Sequence, residues 1–106
     1  MHYFAKQISY LIEGKKNPVV AEIGGGFGGA AYHLLKCKPD LTYIGFDLPE
    51  TLILSHFFLK GVFPERVQAL AGHDGLSEAL VPGKATLAQP CAIKSLPNES
   101  VDVWLN

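Results

Sequence analysis

The chain has 106 residues, and its nine Lys and Arg against ten Asp and Glu give a formal net charge of −1. This length allows one domain at most, and a near-neutral charge without basic blocks argues against a nucleic-acid partner held by phosphate contacts. The apolar runs are too short to span a bilayer, no signal-peptide pattern is visible, and the spacing of two cysteines is not that of a metal site, so the expected location is the cytoplasm.

The first half of the chain predicts helices and strands in alternation. An N-terminal segment, 1–17, contains an amphipathic helix over 3–13 and precedes the main domain, 18–106. A helix beginning at Pro49 is expected to end near Gly61, with Ile53 and Phe57 on its core face and Leu54 and Phe58 alongside. The elements predicted between these two helices are a strand at Val19–Ile23, a helix at Gly28–Lys36 and a strand at Leu41–Asp47.

The third strand has two candidates. Arg66–Leu70 and Ala85–Gln89 both have the composition of a strand, and it is also open that both are strands. If Ala85–Gln89 is the third strand, His73–Gly83 is an insertion. Val101–Leu105 is predicted as the last strand, with Trp104 in the core. Alternation of this kind predicts an α/β fold with a Rossmann-like, doubly wound parallel sheet and right-handed crossovers.

A glycine-rich turn follows the first strand. Five of the six positions in 24–29 are glycine, and the order strand, glycine turn, helix is how α/β proteins build a nucleotide pocket. Two templates fit this turn: the dinucleotide fingerprint, with glycines at 24, 26 and 29, and a methyltransferase motif, with Glu22 before glycines at 24, 26 and 28. A third interpretation is a tight turn without a ligand.

Glu22 helps to choose between the templates. It lies in a strand that should be buried on both faces, where a carboxylate is costly unless it is paired or hydrogen-bonded. An ammonium group at the methionine end of S-adenosylmethionine would compensate it, whereas a dinucleotide has no cation there. The alternative is a carboxylate that accepts hydrogen bonds from backbone amides of the glycine turn.

Asp47 ends the second strand, 23 positions after Gly24. An acidic side chain at this place can accept hydrogen bonds from ribose hydroxyls. Both cofactor templates predict it, and the alternative is an N-cap for the helix that Pro49 opens.

Three ordered segments carry a resemblance to a known family: Glu22–Gly29, Tyr43–Leu52 and Leu96–Asn106. They resemble successive motifs of class I S-adenosylmethionine-dependent methyltransferases, and the second is most similar to the signature of bacterial sugar O-methyltransferases. The likeness covers about 18–106. It implies O-methylation of a sugar or another small-molecule acceptor, while a NAD(P)-binding oxidoreductase domain and a non-catalytic α/β interaction module are the alternatives.

The resemblance also implies roles for individual residues. Asp47 would hold the ribose and Leu48 would pack on the adenine, while Glu22 would lie under the methionine end. The glycines that would admit the cofactor to the backbone are Gly24, Gly25, Gly26 and Gly28. The segment at the adenine edge would be Cys91, Ala92 and Ile93, where many relatives have an aspartate. His73–Asp74 has the residue types of a base and an orienting carboxylate, but adjacent side chains seldom point together, so no catalytic base is assigned. No metal ligand is assigned either.

The predicted sheet ends early for this family. Methyltransferase sheets have seven strands with the fourth in the middle, and this sequence reaches only the fourth. We therefore expect a sheet truncated after that strand, in the order 3-2-1-4, and a fragment that is inactive alone. Its fourth strand would be an apolar edge through which the chain self-associates.

Overall fold

A computed structural model describes residues 12–68 and 80–105 of the chain. Four strands form one all-parallel sheet in the order β3-β2-β1-β4. The strands are β1 (Val19–Ile23), β2 (Thr42–Phe46), β3 (Ala85–Ala88) and β4 (Val103–Leu105). The helices are α1 (Gly29–Cys37), α2 (Pro49–Val62) and a 3-10 helix at Pro90–Ser95. The predicted α/β class and strand order are confirmed.

The element boundaries follow local chemistry. Pro49 begins α2, where its missing N–H is not needed, and β1 has the bounds that its apolar run predicted. The third strand is Ala85–Ala88, while Val67 contributes one isolated bridge to Ala85. Within the described residues, the predicted strand at 66–70 forms only this one bridge. Most of the predicted insertion, 73–83, and most of the N-terminal helix, 3–13, lie outside the described residues.

The sheet buries a different cluster on each face. Successive side chains along β1 and β2 point to opposite faces of the sheet. Val20 and Tyr43 therefore belong to one cluster, and Ala21 and Ile44 belong to the other. The first cluster includes the buried faces of α1 and α2, and the second packs under the 3-10 helix and the segment before β4. At the carboxyl ends of these strands, the glycine turn follows β1 and Asp47 follows β2.

The predicted core face of α2 is wrong. Ile53, Leu54 and Phe57 are 63%, 64% and 83% exposed, and Phe58 is half-buried. The buried side chains are instead Leu52, Ser55 and Leu59. Because α2 is apolar almost all the way round, periodicity could not choose its buried face. On the buried face, Leu59 packs closely against Gly28, where an added Cβ would lie 3.1 Å from Leu59 Cγ. This tertiary contact fixes which face of α2 is buried.

Trp104 also departs from its predicted place. It is 46% exposed rather than in the core, and its ring stacks on Phe46 with centroids 6.2 Å apart. β4 pairs with β1 along one side only. A residue in an edge strand keeps one flank toward solvent, which explains why strand alternation alone overestimated the burial of Trp104.

Candidate functional site

A pocket opens at the carboxyl ends of the parallel strands, between the glycine turn and the start of α2. This is where open α/β sheets bind ligands. Its enclosed volume of about 10 Å³ is the space of one water molecule, so a nucleoside-sized ligand would lie across its open rim. The lining residues are Gly25, Gly26, Gly28, Tyr43, Gly45, Phe46, Asp47, Leu52, Ser55, Leu59 and Leu87.

Three glycines of the turn are required by backbone conformation. Gly24, Gly26 and Gly28 have φ of 75°, 61° and 107°, in the left-handed region that side chains with a Cβ rarely adopt. A Cβ on Gly24 or Gly26 would meet no atom within 4 Å. The outer surface of the turn is therefore open, and a ligand can approach its backbone there.

Gly25 is required by space instead. A Cβ on Gly25 would lie 2.8 Å from Glu22 Oε1 and 3.1 Å from the Tyr43 hydroxyl. Gly45, which pairs with Glu22 across the sheet, is equally confined, with a Cβ position 2.9 Å from that hydroxyl. These two glycines make room for an internal contact between Glu22 and Tyr43.

The Glu22 carboxylate is held by a side chain. Tyr43 donates a hydrogen bond of 2.8 Å from its hydroxyl to Glu22 Oε1, which replaces the predicted alternative of backbone amides from the turn. Burial raises the pKa of the Glu22 carboxyl, the hydrogen bond from Tyr43 lowers it, and the charge of Asp47 raises it, with a net upward shift. Burial, followed by the neighbouring Glu22 charge, also raises the pKa of the Tyr43 phenol well above 10.0.

The Asp47 carboxylate joins the glycine turn to the start of α2. Its Oδ2 accepts a hydrogen bond of 3.1 Å from the Gly26 N–H, and its Oδ1 accepts one of 2.7 Å from the Leu48 N–H. The N-cap of α2 is Leu48, and no side chain caps this helix by a hydrogen bond, so the alternative prediction that Asp47 is the N-cap is wrong. The half-buried Asp47 keeps acceptor capacity on both oxygens, since each can take more than one hydrogen bond.

The remaining predicted site residues lie along the same edge of the sheet. Leu48 is 56% exposed beside Asp47, and the Asp47 N–H donates to the carbonyl of Ala88 at the end of β3. The 3-10 helix that follows β3 places Cys91 at the surface, Ala92 in the core and Ile93 half-buried. The Ala92 side chain is therefore buried away from any ligand, whereas the Cys91 side chain is exposed; neither residue lines the pocket.

Tyr43 was not among the predicted site residues, yet it lines the pocket and donates a hydrogen bond to Glu22. The available signal was a polar phenol within a strand buried at every position, because a buried tyrosine hydroxyl needs a hydrogen-bond partner. The histidines do not add a base: His33 and His56 lie on α1 and α2 and do not line the pocket. His73 lies outside the described residues.

Comparisons with protein-family models, with curated proteins and with solved structures find no match for the chain. Within residues 12–68 and 80–105, no three His, Cys, Asp or Glu side chains are grouped so that they could hold a metal ion. In the same two ranges, no helix has the length and apolarity needed to cross a membrane.

Proposed function

We propose that this chain binds S-adenosylmethionine and is the cofactor-binding part of a methyltransferase. The observation that carries the proposal is the pair of carboxylates, Glu22 and Asp47, on either side of an open glycine turn. They are close enough for the charge of Asp47 to raise the pKa of Glu22. A site with this charge attracts a cation and repels an anion.

The charge distinguishes the two cofactor templates. A dinucleotide places its pyrophosphate on the glycine turn and the following helix N-terminus, but here the Gly26 N–H already donates to the Asp47 carboxylate. The anionic pyrophosphate would also face the two acidic side chains. S-adenosylmethionine instead brings an ammonium and a sulfonium, both positive, to this place. The methyltransferase interpretation is therefore preferred over the oxidoreductase alternative.

The residues fit the parts of the cofactor in order along the sheet edge. Glu22 would receive the ammonium, the open backbone of Gly24 and Gly26 would pass beneath the methionine chain, and Asp47 would accept the ribose hydroxyls. The exposed Leu48 would cover the adenine, whose edge would meet Cys91 and the neighbouring backbone. When bound, the cofactor supplies an activated methyl group, and this chain's part is to bind and orient it.

The wider setting of the function is also a proposal. The acceptor that the resemblance implies is a hydroxyl of a sugar or of another small molecule. Two exposed cysteine thiols, Cys37 and Cys91, suit the reducing cytoplasm. We propose that the complete reaction needs further protein surface for the acceptor, because the enclosed pocket of about 10 Å³ has no room for one.

Calorimetric titration tests the cofactor assignment. The chain is titrated with S-adenosylhomocysteine, S-adenosylmethionine, NAD and NADP under the same conditions. We expect saturable heat with the adenosyl ligands and none with the dinucleotides. Heat with NAD or NADP but not with the adenosyl ligands would overturn the proposal and favour the oxidoreductase alternative.

A further inference from the structure

Tyr43 reaches the candidate site from inside the sheet. The side chain is 1% exposed in β2, and its hydroxyl lies 2.8 Å from Glu22 Oε1. Its ring extends past Gly45 toward the carboxyl end of the sheet, since a Cβ on Gly45 would lie 3.0 Å from Tyr43 Cε2 and 2.9 Å from the hydroxyl. The phenol thus ends directly beneath the carboxylate.

Two glycines confine this contact. Gly25 lies against the Glu22–Tyr43 hydrogen bond on the side of the turn, where a Cβ would be 2.8 Å from Glu22 Oε1. Gly45 lies against it on the neighbouring strand and leaves space for the Tyr43 ring. Neither has a left-handed φ, so backbone conformation does not explain why glycine is needed there. Close packing on both sides leaves the Glu22 carboxylate little freedom to turn away from Tyr43.

On the basis of the proposed function, we propose that Tyr43 is a positioning residue, whose hydroxyl holds the Glu22 carboxylate in place to receive the ammonium of the adenosyl cofactor. Although Tyr43 lines the pocket, its side chain is only 1% exposed, so its proposed effect on the cofactor is exerted through Glu22. A hydrogen bond that fixes a carboxylate before binding removes the cost of ordering it when the ligand arrives.

The same hydrogen bond favours the charged form of Glu22. Burial and the charge of Asp47 both raise the pKa of the Glu22 carboxyl, and the Tyr43 hydroxyl opposes them. In the described residues, the titratable groups that face Glu22 are Tyr43 on β2 and Asp47 after it; the glycine turn and β4 have none. Removal of the hydroxyl therefore raises the pKa of Glu22 further.

Comparison of two ligands separates positioning from general support of the fold. S-adenosylhomocysteine has the amino-acid end, and 5′-methylthioadenosine has the same nucleoside without it. In Tyr43→Phe, we expect binding of S-adenosylhomocysteine to weaken about tenfold, the size of a hydrogen bond to a charged group. Binding of 5′-methylthioadenosine should stay within about twofold, because Tyr43 acts only through Glu22.

The pH dependence of binding gives a second readout. Ionised Glu22 is the form that binds an ammonium, so affinity for S-adenosylhomocysteine should fall as the pH drops through the pKa of Glu22. In Tyr43→Phe this fall should move to higher pH, since the carboxyl has lost the hydrogen bond that lowers its pKa. A role in the fold alone would not move the profile of one ligand.

Two further variants are controls. Tyr32→Phe removes a phenol hydroxyl from α1, on the same face of the sheet and outside the pocket lining, and should change neither affinity. Glu22→Gln removes the charge while keeping an acceptor for Tyr43. In that background, Tyr43→Phe should have little further effect on S-adenosylhomocysteine, because both substitutions act through the same ammonium contact.

The outcomes separate the two proposals. If wild-type protein binds neither adenosyl ligand, the proposed function fails and the role of Tyr43 fails with it. If wild-type protein binds both ligands, and Tyr43→Phe weakens both equally or weakens neither, only the positioning role is overturned. Selective loss of S-adenosylhomocysteine binding, together with the shifted pH profile, would support it.

Discussion

Gly45 lies so close to Tyr43 that a Cβ on the glycine would stand 2.9 Å from the Tyr43 hydroxyl and equally close to Leu87 Cδ2. Gly45 also pairs with Glu22 in the sheet. The glycine in the middle of a buried strand is therefore a spacer, without which the phenol could not reach the carboxylate.

Gly45→Ala should destabilise the fold for this reason. Inserting one methyl group into a packed core costs ~1–3 kcal/mol, measured here as the free energy of unfolding in urea. Gly61→Ala is the matched control, because a Cβ at that helical position meets nothing within 4 Å and should stabilise α2 by about 0.5–1 kcal/mol. Equal effects of the two substitutions would contradict the spacer role.

Asp47→Ala should weaken S-adenosylhomocysteine binding by at least about tenfold, since the carboxylate both orders the turn at Gly26 and is proposed to accept the ribose hydroxyls. The fold should survive, because α2 does not depend on this side chain for its N-cap. Calorimetry and circular dichroism test the two statements separately. Loss of the folded state would instead show that the carboxylate is mainly structural.

Stability should depend on pH through Glu22 in the opposite sense to an ordinary acidic side chain. Its folded-state pKa is raised from 4.5, so the folded chain binds the proton more strongly than the unfolded chain does. The contribution of Glu22 to stability is then greatest at low pH and falls as the pH rises from about 4.5 through the raised pKa. Glu22→Gln should remove this dependence and gain less than ~1 kcal/mol near neutral pH, allowing for the solvent that reaches the carboxyl.

Asp102 has the opposite linkage and supplies a contrast for that measurement. Lys15 and the Val19 N–H bind its carboxylate and lower its pKa below 3.8. Its contribution is present above that pH and is lost as the pH falls through the lowered value. Asp102→Asn should therefore reduce the loss of stability that wild-type protein shows at very low pH. Glu22→Gln should leave that low-pH loss unchanged. If neither substitution changed the dependence of the unfolding free energy on pH, the roles given to Glu22 and Asp102 would both be contradicted.

Arg66 is the only arginine in the chain, and it joins three segments of backbone. Its guanidinium donates to the carbonyl oxygens of Leu35, Lys38, Leu41 and Gly83. A lysine cannot reproduce this planar fork, so Arg66→Lys should destabilise the chain by ~1–3 kcal/mol. Lys16→Ala, at an exposed position, is the control and should change the unfolding free energy by less than about 0.5 kcal/mol.

Self-association through β4 stays a prediction, and sedimentation velocity tests it. The Asp102 N–H donates to Val19, so in an extended strand the N–H of Val103 points away from β1. Val103→Pro should therefore block pairing at this edge without removing a bond to β1. Phe57→Ser tests the exposed face of α2 in the same experiment. If Phe57→Ser causes dissociation and Val103→Pro does not, the contact lies on α2. If wild-type protein is a monomer at high concentration, the prediction of self-association is contradicted.

Local sequence was sufficient for those parts of the fold that depend on neighbouring residues. The apolar run of β1, the glycine turn and the proline that begins α2 each determine their own backbone, because proline and glycine restrict or widen φ at one position. The parallel sheet followed from the alternation of elements, whereas its strand order was an expectation from the resemblance to methyltransferases. Both carboxylates of the site were also evident, since acidic residues at strand ends are conspicuous in an apolar pattern.

Only the tertiary structure decided which groups meet. The buried face of α2 depended on the packing of Leu59 against Gly28. The sequence of α2 does not indicate this face, because the helix is apolar on most sides. The partner of Glu22 depended on the register of β1 against β2, which brings Tyr43 beneath it through the space at Gly25 and Gly45. Contacts between neighbouring strands are set by pairing and close packing, and they leave no periodic signal in the chain.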